Sequence, residues 1–231
     1  MTELSIQNNF QDSSDRLISP NLVSIPSPSL PLQLGLMASG SGTNFAAVAK
    51  AIADSQLNAE IKVLIYNNPQ AKVKERAKKY NIPTILIDHR NYQPRKNFDR
   101  EIVAVLKAYG ADWVVMAGWM RIITQVLLDG YPNRIINIHP SLLPSFKGIK
   151  AVEQALKAKV KITGCTAHLV NLEVDSGEII MQAAVPVLPD DSLDTLHARI
   201  QEQEHIILPK AIALAASVTD IERISKIGQF S

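Results

Sequence analysis

Leu34-Gly35-Leu36-Met37-Ala38-Ser39-Gly40-Ser41-Gly42-Thr43-Asn44 is the stretch on which the fold of this chain turns. A short apolar strand over 34–37 runs into a glycine loop, and Phe45-Ala46-Ala47-Val48-Ala49-Lys50-Ala51-Ile52 continues as helix. Strand, tight loop, helix opens a βαβ unit. The glycines let the backbone approach a ligand closely, and free N–H groups at a helix start point toward negative charge. Two familiar anion motifs do not fit. A dinucleotide fingerprint wants a small residue where Phe45 stands and an acidic residue where Tyr66-Asn67-Asn68 ends the next strand. A nucleotide P-loop wants Gly-Lys-Ser/Thr, whereas Gly40 is followed by Ser41. Two readings remain: a loop holding one phosphate with Thr43 and Asn44 assisting, or a tight strand–helix turn capped by Ser or Thr.

Outward from this unit the pattern repeats. Residues 61–66 read as the next strand, stopped by Asn67-Asn68-Pro69, with helix over 71–80 and strand over 84–87. A helix over 97–108 carries Ile102, Val103, Val105 and Leu106 on its buried face, and Gly110 ends it. Residues 113–116 form a buried strand, Gly118-Trp119-Met120-Arg121 opens a loop, and 135–138 form another strand. This alternation predicts right-handed crossovers and a doubly wound, mostly parallel α/β sheet, Rossmann-like in kind. After residue 160 the pattern changes. Extended runs over 160–170 and 178–187, joined by Asn171-Leu172-Glu173-Val174-Asp175-Ser176-Gly177, suit an antiparallel hairpin that extends the sheet near the C-terminus. A last helix begins at Ser192, and Pro209 is expected to kink or restart it.

The 231 residues suffice for one generous α/β domain, and no second core or repeat is visible. A net charge of +2 gives no drive toward nucleic acid, and no apolar run is long enough for a membrane span. Cys165 is the single cysteine, which excludes an intramolecular disulfide and fits a reducing, cytoplasmic setting. Residues 1–32 hold no glycine, four prolines and seven serines, with no sustained period. They read as a flexible extension that buries too little apolar surface to offset its chain entropy. No apolar h-region marks a secretory signal, and Glu3, Asp12 and Asp15 argue against a transit peptide.

The second informative stretch is Asn137-Ile138-His139-Pro140-Ser141-Leu142-Leu143-Pro144. Side chains alternate in a strand, so Asn137 and His139 share a face while Ile138 points into the opposite layer. The prolines stop ladder bonding and fix the exit of the chain. An amide and an imidazole side by side at a buried strand end can polarise a carbonyl and handle a proton, the minimum equipment for acyl or formyl transfer. A hydrogen-bonded strand end before a proline-rich turn is the structural alternative.

Taken together, the motifs resemble the phosphoribosylglycinamide formyltransferases, folate-dependent enzymes of purine synthesis. The resemblance runs from about Leu34 to the last helix. It rests on Ser39-Gly40-Ser41-Gly42-Thr43-Asn44, Gly118-Trp119-Met120-Arg121-Ile122, the Asn137–Pro144 stretch, Gly164-Cys165-Thr166-Ala167-His168, Asp175-Ser176-Gly177 and Gln203-Glu204-His205. Residues 33–231 are then the formyltransferase domain. Transfer-RNA formyltransferases carry a further C-terminal domain, and formyl-tetrahydrofolate hydrolases carry an N-terminal regulatory domain that residues 1–32 are too short and polar to form. A hydrolase or another formyl acceptor stays as the alternative.

The resemblance implies transfer of a formyl group from formyl-tetrahydrofolate, as co-substrate, to the primary amine of glycinamide ribonucleotide. It makes Asn137 an oxyanion donor and His139 the proton donor, with Asp175 facing His139 and favouring its charged form. Taken alone, Asp175 before Ser-Gly is equally a turn residue. By the same resemblance Gly42, Thr43 and Asn44 hold the ribonucleotide phosphate and Glu204 meets its sugar or amine end. Arg95 meets the folate carboxylate, while Met120, Arg121, Ile122 and Ile123 line the pterin site. Some members carry histidines near Lys150 and Val152, which are plain here. His168 reads either as a packed, hydrogen-bonded histidine or as a site residue. His89, His197 and His205 are scattered and form no metal-ligand set, so no metal is expected. The run Lys72, Lys74, Arg76, Lys78, Lys79 reads as the wet face of a helix, and Cys165 as a small buried strand residue. Neither nucleic acid nor membrane is an expected partner; monomer and homodimer both stay open.

Overall fold

The computed structural model describes residues 17–20 and 30–228. Its elements run β1 (Ile18–Ser19), β2 (Leu32–Ala38), α1 (Thr43–Ala53), β3 (Ala59–Tyr66), α2 (Val73–Lys79), β4 (Thr84–Leu86), α3 (Arg95–Ala108), β5 (Trp113–Met116), α4 (Gln125–Gly130), β6 (Ile135–His139), α5 (Ala151–Lys157), β7 (Ile162–Leu169), β8 (Ile179–Pro186) and α6 (Leu193–Gly228). The strands make one sheet in the order β1-β8-β7-β6-β5-β2-β3-β4. Pairing is parallel from β4 through β6 and antiparallel for β7, β8 and β1. This is the expected doubly wound sheet with its antiparallel extension.

Helices cover both faces, which is why β5 is apolar at every position and buried throughout. One layer gathers Phe45 and Val48 of α1, Val73 and Ala77 of α2, and Leu196, Ile200, Ile207 and Ile212 of α6. The other gathers Phe98, Ile102 and Leu106 of α3 and Leu127 of α4.

Three departures from the sequence reading have physical causes. The helices α4 and α5, of six and seven residues, are too short to show a helical period and pass unseen in the sequence. The helix α6 neither ends nor restarts at Pro209. Ile207, Leu208, Ala211 and Ile212 around it are fully buried, and that packing outweighs the roughly 3 kcal/mol that an internal proline costs. The segment read as an extension falls mostly outside the described residues. Where it is described, Ile18 pairs with Ala183 and Ser19 with Gln182 of β8, Ile18 is 7% exposed within the core, and β2 already begins at Leu32.

Candidate active site

The neighbouring strands β2 and β5 lead to helices on opposite faces, α1 on one and α4 on the other, so a crevice opens at their carboxyl ends. The loops leaving these strands are tied together there. Ser39 N–H donates to Gly118 O at 3.0 Å, and Met120 N–H donates to Ser39 Oγ at 2.8 Å.

Gly42 precedes α1 with φ +74, and a Cβ there would stand 2.3 Å from Val73 Cγ2. Both the turn and the close approach of α2 therefore need glycine. No side chain caps α1, and Ala46 N–H is bonded back to Gly42 O at 3.0 Å. The N–H groups ahead of it have no partner within the helix and can receive an anion. Arg76 of α2 brings a cation to this loop by donating Nε–H to Ser41 O at 2.8 Å. Asn44 is turned inward, 7% exposed, with Nδ2 donating to Glu204 Oε2 at 2.8 Å. Glu204 is 4% exposed, and burial pushes its carboxyl up to about 7 against the pull of the Asn44 bond.

On the far side of β5, the strand β6 delivers Asn137 opposite His168 and His139 opposite Thr166 of β7. Asn137, His139 and His168 thus share one face, as alternation requires. His139 Nε2–H donates to Phe146 O at 2.9 Å, while its Nδ1 faces Asp175 Oδ2 at 3.3 Å. Asp175 also accepts Gly148 N–H at 2.8 Å. The two loops that follow β6 and β7 are thereby clasped over the imidazole. Burial acts to raise the Asp175 carboxyl, but contacts from His168, Gly148 and the histidine charges outweigh it and hold the group below its ordinary range. Asp175 sits at φ 49, a left-handed conformation that Asp tolerates better than most residues. Gly177 completes the motif because a Cβ there would stand 1.7 Å from Leu169 O. Asn137 donates Nδ2–H to His168 Nε2 at 3.2 Å.

The folate-side residues divide by burial. Met120 is 76% exposed and Ile122 53% exposed, whereas Ile123 is buried beneath them. Trp119 stacks on Phe98 of α3 with ring centroids 5.9 Å apart. A cleft of about 620 Å³ borders this loop, lined by Ser39, Asn67, His89, Arg90, Met120 and Arg121 among others. Its two arginines suit an anionic ligand. Arg95, exposed on the first turn of α3, does not line this cleft, and neither do Asn137, His139 and Asp175. Among the described residues no group of three or more His, Cys, Asp or Glu is placed to hold a metal ion.

Residues 33–212 match the formyl transferase family. The chain belongs to that family. Human "Trifunctional purine biosynthetic protein adenosine-3" is 41% identical over 187 residues, 81% of this chain but only 18% of that protein. Thus the chain spans about a fifth of the trifunctional relatives it matches. "Phosphoribosylglycinamide formyltransferase" of Bacillus subtilis is 39% identical over 78% of this chain and 92% of its own length. The crystal structure of "glycinamide ribonucleotide transformylase 1" from Symbiobacterium toebii superposes with a TM-score of 0.81 at 42% identity, covering 82% of this chain and 90% of that one.

Several residues of this formyl transferase domain escape a sequence reading. Arg76 sits in a lysine-rich run that looks like solvated helix surface, yet it leans on the glycine loop. Asp99 is 1% exposed and accepts Thr124 N–H at 2.6 Å, tying α3 to the end of the 117–124 loop. Burial pushes its carboxyl up, opposed by the Thr124 bonds and by the charges of Arg95 and Arg121. The only sequence signal for Asp99 is an acidic residue within the apolar stripe of α3.

Proposed function

We propose that this protein transfers a formyl group from formyl-tetrahydrofolate to the amine of glycinamide ribonucleotide, a step of purine synthesis, in the cytoplasm. The observation that carries the reading is the grouping of Asn137, His139 and Asp175 at the end of β6, at the same end of the sheet as the uncapped, glycine-led helix start that follows β2. The family match and the two formyltransferase-named relatives support the same chemistry.

The neutral amine of the ribonucleotide attacks the formyl carbon, and the carbonyl oxygen gathers negative charge. An N–H of Asn137 donates to that oxygen, a contact typically worth roughly 3–4 kcal/mol of barrier. The bond from carbon to the folate nitrogen breaks and that nitrogen takes up a proton from His139, while the proton lost by the attacking nitrogen passes through water to the His139–Asp175 pair and replaces it, so no net proton is consumed. Both ring nitrogens of His139 are engaged, by Phe146 O and by Asp175. Delivery of the proton therefore requires the ring to give up one partner. Asp175 keeps the imidazole oriented and places a negative charge beside it. Gly42, Thr43 and Asn44 hold the phosphate with Arg76 behind them, and the arginine-lined cleft takes the acidic end of the folate.

The test is to supply formyl-tetrahydrofolate with and without glycinamide ribonucleotide and follow release of tetrahydrofolate. Release that depends on the ribonucleotide, with the formyl group recovered on it, is expected. Equal release without the amine would make the protein a hydrolase.

A further inference from the structure

His168 stands on β7 beside the Asn137–His139–Asp175 group, is 2% exposed, and has both ring nitrogens engaged. Its Nδ1 stands 2.7 Å from Leu169 O. A carbonyl oxygen only accepts, so Nδ1 carries the proton, and in the neutral ring Nε2 is left with a lone pair. The nearest group to that lone pair is Asn137 Nδ2 at 3.2 Å, with Asp175 Oδ1 farther off at 3.7 Å. In the neutral ring that lone pair takes the Asn137 N–H, whereas a protonated Nε2 would turn to Asp175 Oδ1 and could not accept from Asn137. An Asn amide has two orientations of nearly equal shape, and only one presents N–H to His168. That orientation leaves Asn137 a second N–H to offer, on the strand face it shares with His139.

We propose that His168 is a positioning residue that fixes the amide orientation of Asn137, so that the second N–H faces the carbonyl oxygen of the formyl group. This rests on the formyl-transfer reading and adds to it the question of which atom of Asn137 the site presents. The backbone supplies the means. The pairing of Asn137 with His168 across β6 and β7 sets the two side chains side by side, and the Leu169 carbonyl selects the tautomer. Loss of the acceptor lets the amide turn over, and an oxygen then meets the developing negative charge.

Four measurements on the full chain test it. In protein labelled with ¹⁵N at histidine, His168 Nε2 should show the shift of an unprotonated ring nitrogen near neutral pH; a protonated Nε2 overturns the assignment. His168→Leu should lower kcat about 30-fold, part of the ~10²–10³-fold that one oxyanion donor commands, with KM for both substrates little changed. His168→Gln, which keeps an acceptor near the Nε2 position, should recover most of that loss. The decisive comparison is His168→Leu in an Asn137→Ala background. If His168 acts through Asn137, the second substitution should cost less than about threefold there, since neighbours in one network are not additive. A full 30-fold loss in that background would show that His168 acts by another route. Asn137→Ala without effect on kcat would remove the formyl-transfer role of Asn137, and the proposal with it.

Discussion

Asn44 and Glu204 stand 160 positions apart in the sequence, and their side chains meet at 2.8 Å in the interior. The contact joins the first turn of α1 to the middle of α6, and with them the glycine loop to the C-terminal helix. It leaves Asn44 Oδ1 buried without a partner. A carboxyl in this place answers to pH. Its folded-state value of about 7 lies above the ordinary 4.5, so the folded protein holds the proton more tightly than the unfolded chain. Stability from this group is full below the ordinary value and is lost as pH rises through about 7. The change amounts to about 3 kcal/mol in all. Urea denaturation at about pH 5 and about pH 8 should show that fall in wild type and a much smaller one in Glu204→Gln. Equal pH dependence in both would mean that Glu204 ionises freely.

Asn44→Ala acts on both partners. It removes a side chain beside the uncapped start of α1 and strips Glu204 of its donor. Ribonucleotide affinity should fall about tenfold, near 1.4 kcal/mol, while folate affinity stays close to wild type. Titration calorimetry with each substrate measures the two separately. Matching losses for both substrates would place the loop's role elsewhere.

The sheet edge gives a prediction about the N-terminal segment. Ile18 is buried against β8 although its strand is two residues long. Ile18→Ala should cost about 2 kcal/mol in chemical denaturation, the low end for a buried isoleucine. Deleting residues 1–20 should also bare the β8 edge and promote self-association, visible by sedimentation. Catalysis should stay near wild type, because β1 pairs with β8, a strand that carries none of the site residues. An unchanged denaturation midpoint for Ile18→Ala would show that the strand adds nothing to the domain.

How much of this was legible in the sequence follows from the range of each interaction. The parallel half is readable because glycines and prolines punctuate runs such as Trp113–Met116, whose buried pattern is local. Asn137 and His139 are readable as a pair because strand alternation puts them on one face. The Asn44–Glu204 contact has no local signature, and neither does the lean of Arg76 onto Ser41, since each depends on how helices far apart in sequence pack. β1 is unreadable for a different reason. Two residues carry no period, and Ile18 is held by the edge it finds rather than by its own neighbours.

Asp175 is the residue for which a turn role and a chemical role must be separated. Its carboxylate accepts Gly148 N–H at 2.8 Å and faces His139 Nδ1 at 3.3 Å, so it both shapes a loop and places charge beside the imidazole. Asp175→Asn keeps the size, the left-handed backbone preference and an acceptor for Gly148, and removes the charge. If the charge matters in the transition state, kcat should fall ~100-fold or more, the scale of a lost acid–base group, with both KM values nearly kept. The pH profile carries the sign. Its contacts hold the Asp175 carboxyl below the ordinary range, so wild type should lose turnover at low pH as that group protonates, and Asp175→Asn should lack this acidic limb. Asp175→Ala should add a loss of thermal stability that Asn spares, because only Ala leaves Gly148 N–H without its acceptor. Turnover and pH profile both unaltered in Asp175→Asn would reduce Asp175 to a loop-shaping residue. His139 would then have to deliver its proton without a charged partner.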